Sequence, residues 1–230
     1  MSATAPLSER LRLACEPDWD QLHSHPFVLA LADGTLPLDS FRFYIEQNLQ
    51  YLPEYARAMA LGASRAEDLA TMRAFAADLA NVVGTEIPQN EDLLRRAIEL
   101  GAQDRGGADG MAPATLAYTS FLVATAARYG SLEIMAAILP CTWSYGDIGS
   151  RLIGEVVEHP VYAEWIRFFG SSDYARTVDG IRRDFEDRAE AADEETRGRL
   201  TFLFAASTRL ERGFWDMGLR LEHWPDRRGL

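Results

Sequence analysis

EETRGRLTFLFAASTRLERGFWDMGLRL, residues 194–221, contains no proline, valine or isoleucine, and its bulky apolar positions return at helical spacing. Ser207, Glu211 and Trp215 follow one another at intervals of four, with Phe204 and Phe214 beside them, so they share one side of a long helix. Read outward from this stretch, the rest of the chain keeps the same period. Pro37, Leu38 and Asp39 open a long helix expected to reach Gly62, and a second is expected from Arg65 to Leu100, interrupted at Gly84 and Pro88. Pro113 suits the first turn of a helix ending at Tyr129, with Gly130 as its C′ residue and Ser131 as the cap of the next helix. That next helix is expected to run to Val157 with a break at Pro140. A short helix from Pro160 to Phe168 and another over Asp173–Glu190 complete the pattern. No convincing strand competes, so the expected class is all-α, a helical bundle formed by residues 1–230 as one domain.

Composition supports this reading and removes several functions. Alanine and leucine dominate the apolar residues, while valine and isoleucine are scarce, which favours helix over strand. All 23 basic residues are arginine. Without lysine there is no Schiff-base catalysis, no Walker A phosphate site and no kinase-type lysine. The net charge of −12, with no arginine stripe to offset it, argues against a nucleic-acid partner. No uncharged apolar run approaches the roughly 18 residues of a membrane span, and the opening MSATAPLSERLRLAC is too charged for a signal peptide. A cytoplasmic location with Cys15 and Cys141 as free thiols is therefore expected. Gly101 to Ala112, with QDRGGADG at its centre, reads as a loop that no core could hold, and the mixed-charge run 182–199 reads as a solvated helix–turn–helix face. His23 and His25 flank Pro26 at a helix end, where an imidazole more often caps or hydrogen-bonds than binds metal, and no paired metal-ligand motif occurs.

Three segments carry polar groups where a plain bundle has leucine. Tyr44, Asn48 and Tyr51 share a helix face among Phe43, Ile45 and Leu52. Cys141 follows Pro140, which removes a backbone N–H and frees the Ala136 carbonyl, and Tyr145 stands one turn further on. A lone buried cysteine is usually an inert hydrophobe, so this segment alone does not make a nucleophile. Glu211 among Phe204, Phe214 and Trp215 is either a desolvated acid/base or an exposed partner of Arg209 or Arg212.

HPFVLALADGTLPLDSFRFYIEQNLQYL (25–52), PATLAYTSFL (113–122), LPCTWSYGDIG (139–149), HPVYAEWIRFFG (159–170) and STRLERGFWDM (207–217) together resemble, in order and spacing, the TenA/thiaminase II family. The resemblance implies a haem-oxygenase-like helical bundle, a homotetramer, and hydrolysis of an aminopyrimidine: thiamine, or the salvage product 4-amino-5-aminomethyl-2-methylpyrimidine. It implies no metal and no organic cofactor. By position it makes Cys141 the nucleophile and Glu211 the acid/base, with Tyr51, Tyr118 and Tyr145 lining the pocket. Departures fall at Asn48, where the family has an aspartate on the aminopyrimidine edge, at Phe169, where it has tyrosine, and at Asn90, where it has histidine. Tyr44 shares the pocket face with Asn48. These changes leave two alternatives: a ligand-binding or regulatory paralogue without turnover, or a hydrolase for another heteroaromatic amine. A metal-dependent oxygenase of the same fold needs facing carboxylates and histidines that this pattern does not supply.

Overall fold

The computed structural model describes residues 5–225, which form helices joined by short connections, with no strand among them. Three short helices, α1 (Leu7–Ala14), α2 (Glu16–His23) and α3 (Pro26–Ala32), precede the long α4 (Leu38–Ser64). Then come α5 (Leu69–Asn81), a π-helical turn (Val82–Glu86), α6 (Ile87–Glu99), α7 (Pro113–Arg128), α8 (Ser131–Leu152), α9 (Tyr162–Phe169), α10 (Ser172–Ala189) and α11 (Glu194–Arg220). No helix among the described residues is long and apolar enough to cross a membrane.

Local chemistry sets the helix starts. The Asp68, Ser171 and Asp193 side chains each accept from the backbone N–H three residues on, at 2.8, 3.1 and 2.8 Å, which satisfies amides the first turn leaves open. His25 caps α3 by accepting from Phe27 N, so the expected capping role of that histidine holds. Several boundaries differ from expectation. The second long helix starts at Leu69, where Asp68 can cap it, rather than at Arg65. The expected interruption at Gly84 and Pro88 is there: a π turn holding Gly84 separates α5 from α6, and Pro88 sits at the start of α6, where its missing N–H costs nothing. Gly130 is not a left-handed C′ residue. It has φ −82° and is itself the N-cap of α8, so Ser131 is the first helical residue and caps nothing.

Helix α8 runs through Pro140 uninterrupted and ends at Leu152, short of the expected Val157, whose N–H instead bonds Ala32 O at 3.0 Å. Helix α11 packs most extensively on α8, while α4 packs on α5, α6 and α7. These four-way contacts bury Trp215, Phe204, Tyr44 and Tyr118 in the centre. Truncating one such aromatic costs about 3–5 kcal/mol. Gly149 lets α8 meet the end of α9: a Cβ there would lie 2.4 Å from Gly170 N, so no side chain fits. That close approach brings Phe169 onto Tyr145.

The 103–110 loop is held more firmly than its composition suggests. Gln47 and Gln50 on α4 both donate to Gly107 O, at 2.6 and 2.7 Å, and Gly107 is buried. The 182–199 run is the expected helix–turn–helix between α10 and α11, with Phe185 and Ala189 buried on its inner side and the Arg182 guanidinium carbon over the Trp143 ring, 3.8 Å from its centroid.

Candidate active site

Glu211 is 1% exposed, near the middle of α11. Its arginine neighbours turn outward: Arg209 and Arg212 pair with Asp18 at 2.8 and 3.5 Å. The carboxyl is thus left without a cation, and burial raises its pKa to about 7.

Its partners are hydroxyls. Tyr118 Oη on α7 lies 2.8 Å from Glu211 Oε2 and 2.9 Å from Ser207 Oγ, and Ser207 donates to Ala137 O at 2.6 Å. These three contacts need three protons. With Glu211 ionised, only the two hydroxyl protons are available, and one contact lacks a donor. With Glu211 protonated, its O–H donates to Tyr118, Tyr118 to Ser207, and Ser207 to the α8 carbonyl. Donation from Tyr118, and from Tyr145 and Cys141, favours the carboxylate and lowers the pKa, so these donors oppose burial, which remains the larger effect.

Cys141 sits on α8 one residue after Pro140, as a half-buried free thiol. Burial, then the negative fields of Glu211 and Glu86, push the thiol well above its ordinary pKa. The Tyr145 hydroxyl and the Cys141 thiol both act on the Glu211 carboxylate at short range. A thiol in this setting does not ionise alone. It needs a base that takes its proton as the sulfur attacks, and Glu211 is the near carboxylate.

Tyrosines wall the pair. Tyr51 on α4 packs on Tyr118 at 5.0 Å between ring centroids, is 3% exposed, and turns its hydroxyl on the Cys141 thiol. Tyr44 and Tyr145 meet hydroxyl to hydroxyl at 3.1 Å, and both stack on Trp215, at 5.4 and 5.1 Å. Burial raises the pKa of all four tyrosines, so they remain hydrogen-bond donors. Phe169 lies behind Tyr145, edge-on at 4.8 Å, and adds bulk without a polar contact. Asn48, 4% exposed, donates from Nδ2 to Asn90 Oδ1 at 3.0 Å, and Asn90 Nδ2 donates to Glu86 O at 2.8 Å. The structure thus brings Cys141, Glu211, Tyr51, Tyr118, Tyr145 and Tyr44 to one centre, with Asn48 on the same face of α4 and Phe169 as backing.

A further group beside this centre shows in the sequence only as the start of the 86–90 block, where nothing assigns it a role. Glu86 ends the π turn, and burial first and the charge of Glu211 second raise its pKa to about 7. Glu86 lines a cleft with Tyr55 and Thr142, whose hydroxyls bond at 2.9 Å, and with Asp78, Asn81 and Tyr174. The sequence signals are Gly84 and Pro88 inside an otherwise helical run, and the 86–90 block in which Asn90 stands for the family's histidine. The larger surface clefts, such as that between Phe43, Gln47 and Trp224, contain none of the predicted residues. Among the described residues no three His, Cys, Asp or Glu side chains group to hold a metal ion.

Known proteins share this arrangement of helices. An aminopyrimidine aminohydrolase of Halalkalibacterium halodurans is 34% identical over 226 residues, covering 97% of this chain and 98% of its own. The solved TenA homologue of P. horikoshii OT3 superposes with a TM-score of 0.82 at 28% identity, over 94% of this chain and 99% of its own. Haem oxygenase 2 of Chlamydomonas reinhardtii, at 12% identity, matches with a TM-score of 0.63 over 92% of this chain and 97% of its own, so the bundle is haem-oxygenase-like. The TENA/THI-4/PQQC family model matches residues 13–221, and this chain belongs to that family.

Proposed function

We propose that this protein hydrolyses an aminopyrimidine at its exocyclic 5-methylene, with Cys141 as nucleophile and Glu211 as acid/base. The observation that carries the reading is a carboxyl of pKa about 7, buried beside a thiol and tied into a hydroxyl chain. A group of that pKa both accepts and returns a proton near neutrality. The aminopyrimidine aminohydrolase of Halalkalibacterium halodurans, similar over nearly the whole chain, supports the substrate class.

The steps follow from the groups present. The Cys141 sulfur adds to the electron-poor ring while Glu211 takes the thiol proton. Addition interrupts ring aromaticity and lets the 5-methylene expel its amine. Water adds at the methylene, and loss of the thiol restores the ring. The net change is R–CH2–NH3⁺ + H2O → R–CH2–OH + NH4⁺. Asn48 offers its Oδ1 to the substrate's exocyclic amine, and Tyr51 supplies an aromatic face for the pyrimidine. The same reading takes the working form to be a cytoplasmic homotetramer in thiamine salvage, which light scattering tests for assembly.

The decisive experiment incubates the protein with 4-amino-5-aminomethyl-2-methylpyrimidine and, separately, thiamine. The hydroxymethylpyrimidine product is then followed by chromatography and mass. Formation of that product from either supports the proposal. Binding without product would favour a ligand-binding role, and no binding would end the assignment.

A further inference from the structure

Beside the π turn lies a cleft with two carboxyls in its lining, Asp78 and Glu86. We propose that it is the leaving-group subsite, in which Glu86 and Asp78 hold the protonated amine of the substrate's side arm. This rests on the aminopyrimidine reading and adds the chemistry of the departing half.

Position is the first argument. One wall is the end of α5 and the π turn, with Asp78, Asn81 and Glu86. The other is Tyr55 from α4, Thr142 from α8 and Tyr174 from α10. Thr142 is the residue after Cys141, so the cleft shares its wall with the nucleophile's own helical turn. Tyr55, bonded to Thr142, packs on Tyr51 at 5.6 Å, and Tyr51 packs on Tyr118, which holds Glu211. The buried Tyr51 hydroxyl acts on the Cys141 thiol, so the ring-facing tyrosine, the nucleophile and the cleft wall formed by Tyr55 and Thr142 are contiguous.

Charge is the second. No arginine lines this cleft, and among the described residues neither Asp78 nor Glu86 has an ion-pair partner. The nearby Arg188, beyond Asp184, is already paired with Asp68 at 3.1 Å. Burial, together with Asp184 for Asp78 and Glu211 for Glu86, raises both carboxyls to about 7. A bound cation favours their ionised forms and offsets part of that cost.

Register is the third. The π turn displaces the helix by one residue, a device found at functional sites more often than elsewhere. Asn90 grips its last carbonyl, Glu86 O, and with its other end receives Asn48. The residue at the ring edge and the turn bearing Glu86 are thereby fixed relative to each other. In the balanced reaction the side arm enters as R–CH2–NH3⁺, its nitrogen leaves as NH3 with the bonding pair, and it becomes NH4⁺ on taking the proton released when water adds at the methylene. A cleft selective for positive charge holds substrate and leaving ion but not the neutral alcohol, which favours product release.

Binding measurements on the Cys141→Ser protein, where turnover is blocked, separate these ideas. The probes are 4-amino-5-aminomethyl-2-methylpyrimidine, cationic, and 4-amino-5-hydroxymethyl-2-methylpyrimidine, neutral, read by titration calorimetry. The added change Glu86→Gln should weaken the cationic probe about tenfold and leave the neutral one within about twofold, a difference of about 1.4 kcal/mol. Asp78→Asn should act in the same sense with a smaller effect, about threefold, and it decides the matter if Glu86→Gln fails to fold. Equal losses for both probes, or no loss for either, overturn the subsite while leaving the hydrolase reading intact. Failure of the Cys141→Ser protein to bind either pyrimidine overturns both.

Discussion

Tyr118 Oη and Glu211 Oε2 lie 2.8 Å apart inside a chain of hydroxyls that ends on the Ala137 carbonyl, and only a protonated Glu211 supplies every contact with a hydrogen. When Glu211 ionises, Tyr118 must turn its hydrogen toward the carboxylate and leave Ser207. Tyr118 therefore governs the ease of that ionisation, and its donation lowers the pKa that burial has raised.

Removing the hydroxyl should be visible in a pH profile. Tyr118→Phe takes away one charge-assisted bond, worth about 1.5–3 kcal/mol, so kcat/KM should fall roughly tenfold to a hundredfold. The acidic limb of the profile should move to higher pH, because the carboxylate has lost its donor. A uniform loss of rate with an unmoved limb would mean that Tyr118 packs but does not tune.

Cys141→Ser tests the nucleophile. A serine hydroxyl is far less ionised than a thiol, and neither Glu211 nor any nearby histidine makes up that difference. Turnover should drop to background while the hydroxymethylpyrimidine still binds within a few-fold of wild type. Hydrolysis at the wild-type rate removes the cysteine from the chemistry.

Burying Glu211 has a stability cost with a defined sign. Its folded pKa of about 7 lies above the ordinary value of 4.5, so the folded state binds this proton more tightly than the unfolded one. Stability from this group is highest below pH 4.5 and declines as pH rises to about 7. Glu211→Gln removes the titration, and the amide can donate to Tyr118 as the protonated acid does. The variant should be more stable than wild type at pH 8 by about 2–3 kcal/mol and nearly equal to it at pH 4.5, with activity lost. Melting curves at the two pH values check this. Equal offsets at both would show that the carboxyl is not titrating in this range.

Much of this arrangement was legible in the chain, and the parts that were not share a cause. Helix α11, expected over 194–221, spans Glu194–Arg220, because its period is long and Asp193 caps it. The reading of Glu211 as a desolvated acid also held, since the aromatic residues at Phe204, Phe214 and Trp215 that suggest burial do bury it. Helices α1 to α3 have eight residues or fewer, too short for periodicity to register and stable only through packing. The π turn depends on an i→i+5 pattern that no propensity encodes. The Asn48–Asn90 bond joins α4 to α6 across 42 positions, and only tertiary structure places it.

That bond changes what is expected of position 48. Read from sequence, asparagine there can accept from the substrate amine and donate to the ring nitrogen, so restoring the family's aspartate should strengthen binding. In the structure an Nδ2 hydrogen is already committed to Asn90 Oδ1 at 3.0 Å. An aspartate has no hydrogen to give, so Asn48→Asp sets two acceptor oxygens against each other in a site that is 4% exposed. Asn90 can turn its amide to meet the new carboxylate only by releasing Glu86 O, now held at 2.8 Å. Leaving one buried acceptor unpaired costs about 1–3 kcal/mol, or between fivefold and a hundredfold in kcat/KM if the cost is expressed in the transition state. The single variant should therefore lose activity. Pairing it with Asn90→His supplies a ring N–H for the carboxylate, and the double variant should recover most of the loss, a coupling of about 1–2 kcal/mol between the two positions. Rates for wild type, both single variants and the double variant on 4-amino-5-aminomethyl-2-methylpyrimidine measure it directly. A rise in kcat/KM for Asn48→Asp alone would show that Asn90 reorients freely and that the two asparagines are not a matched pair.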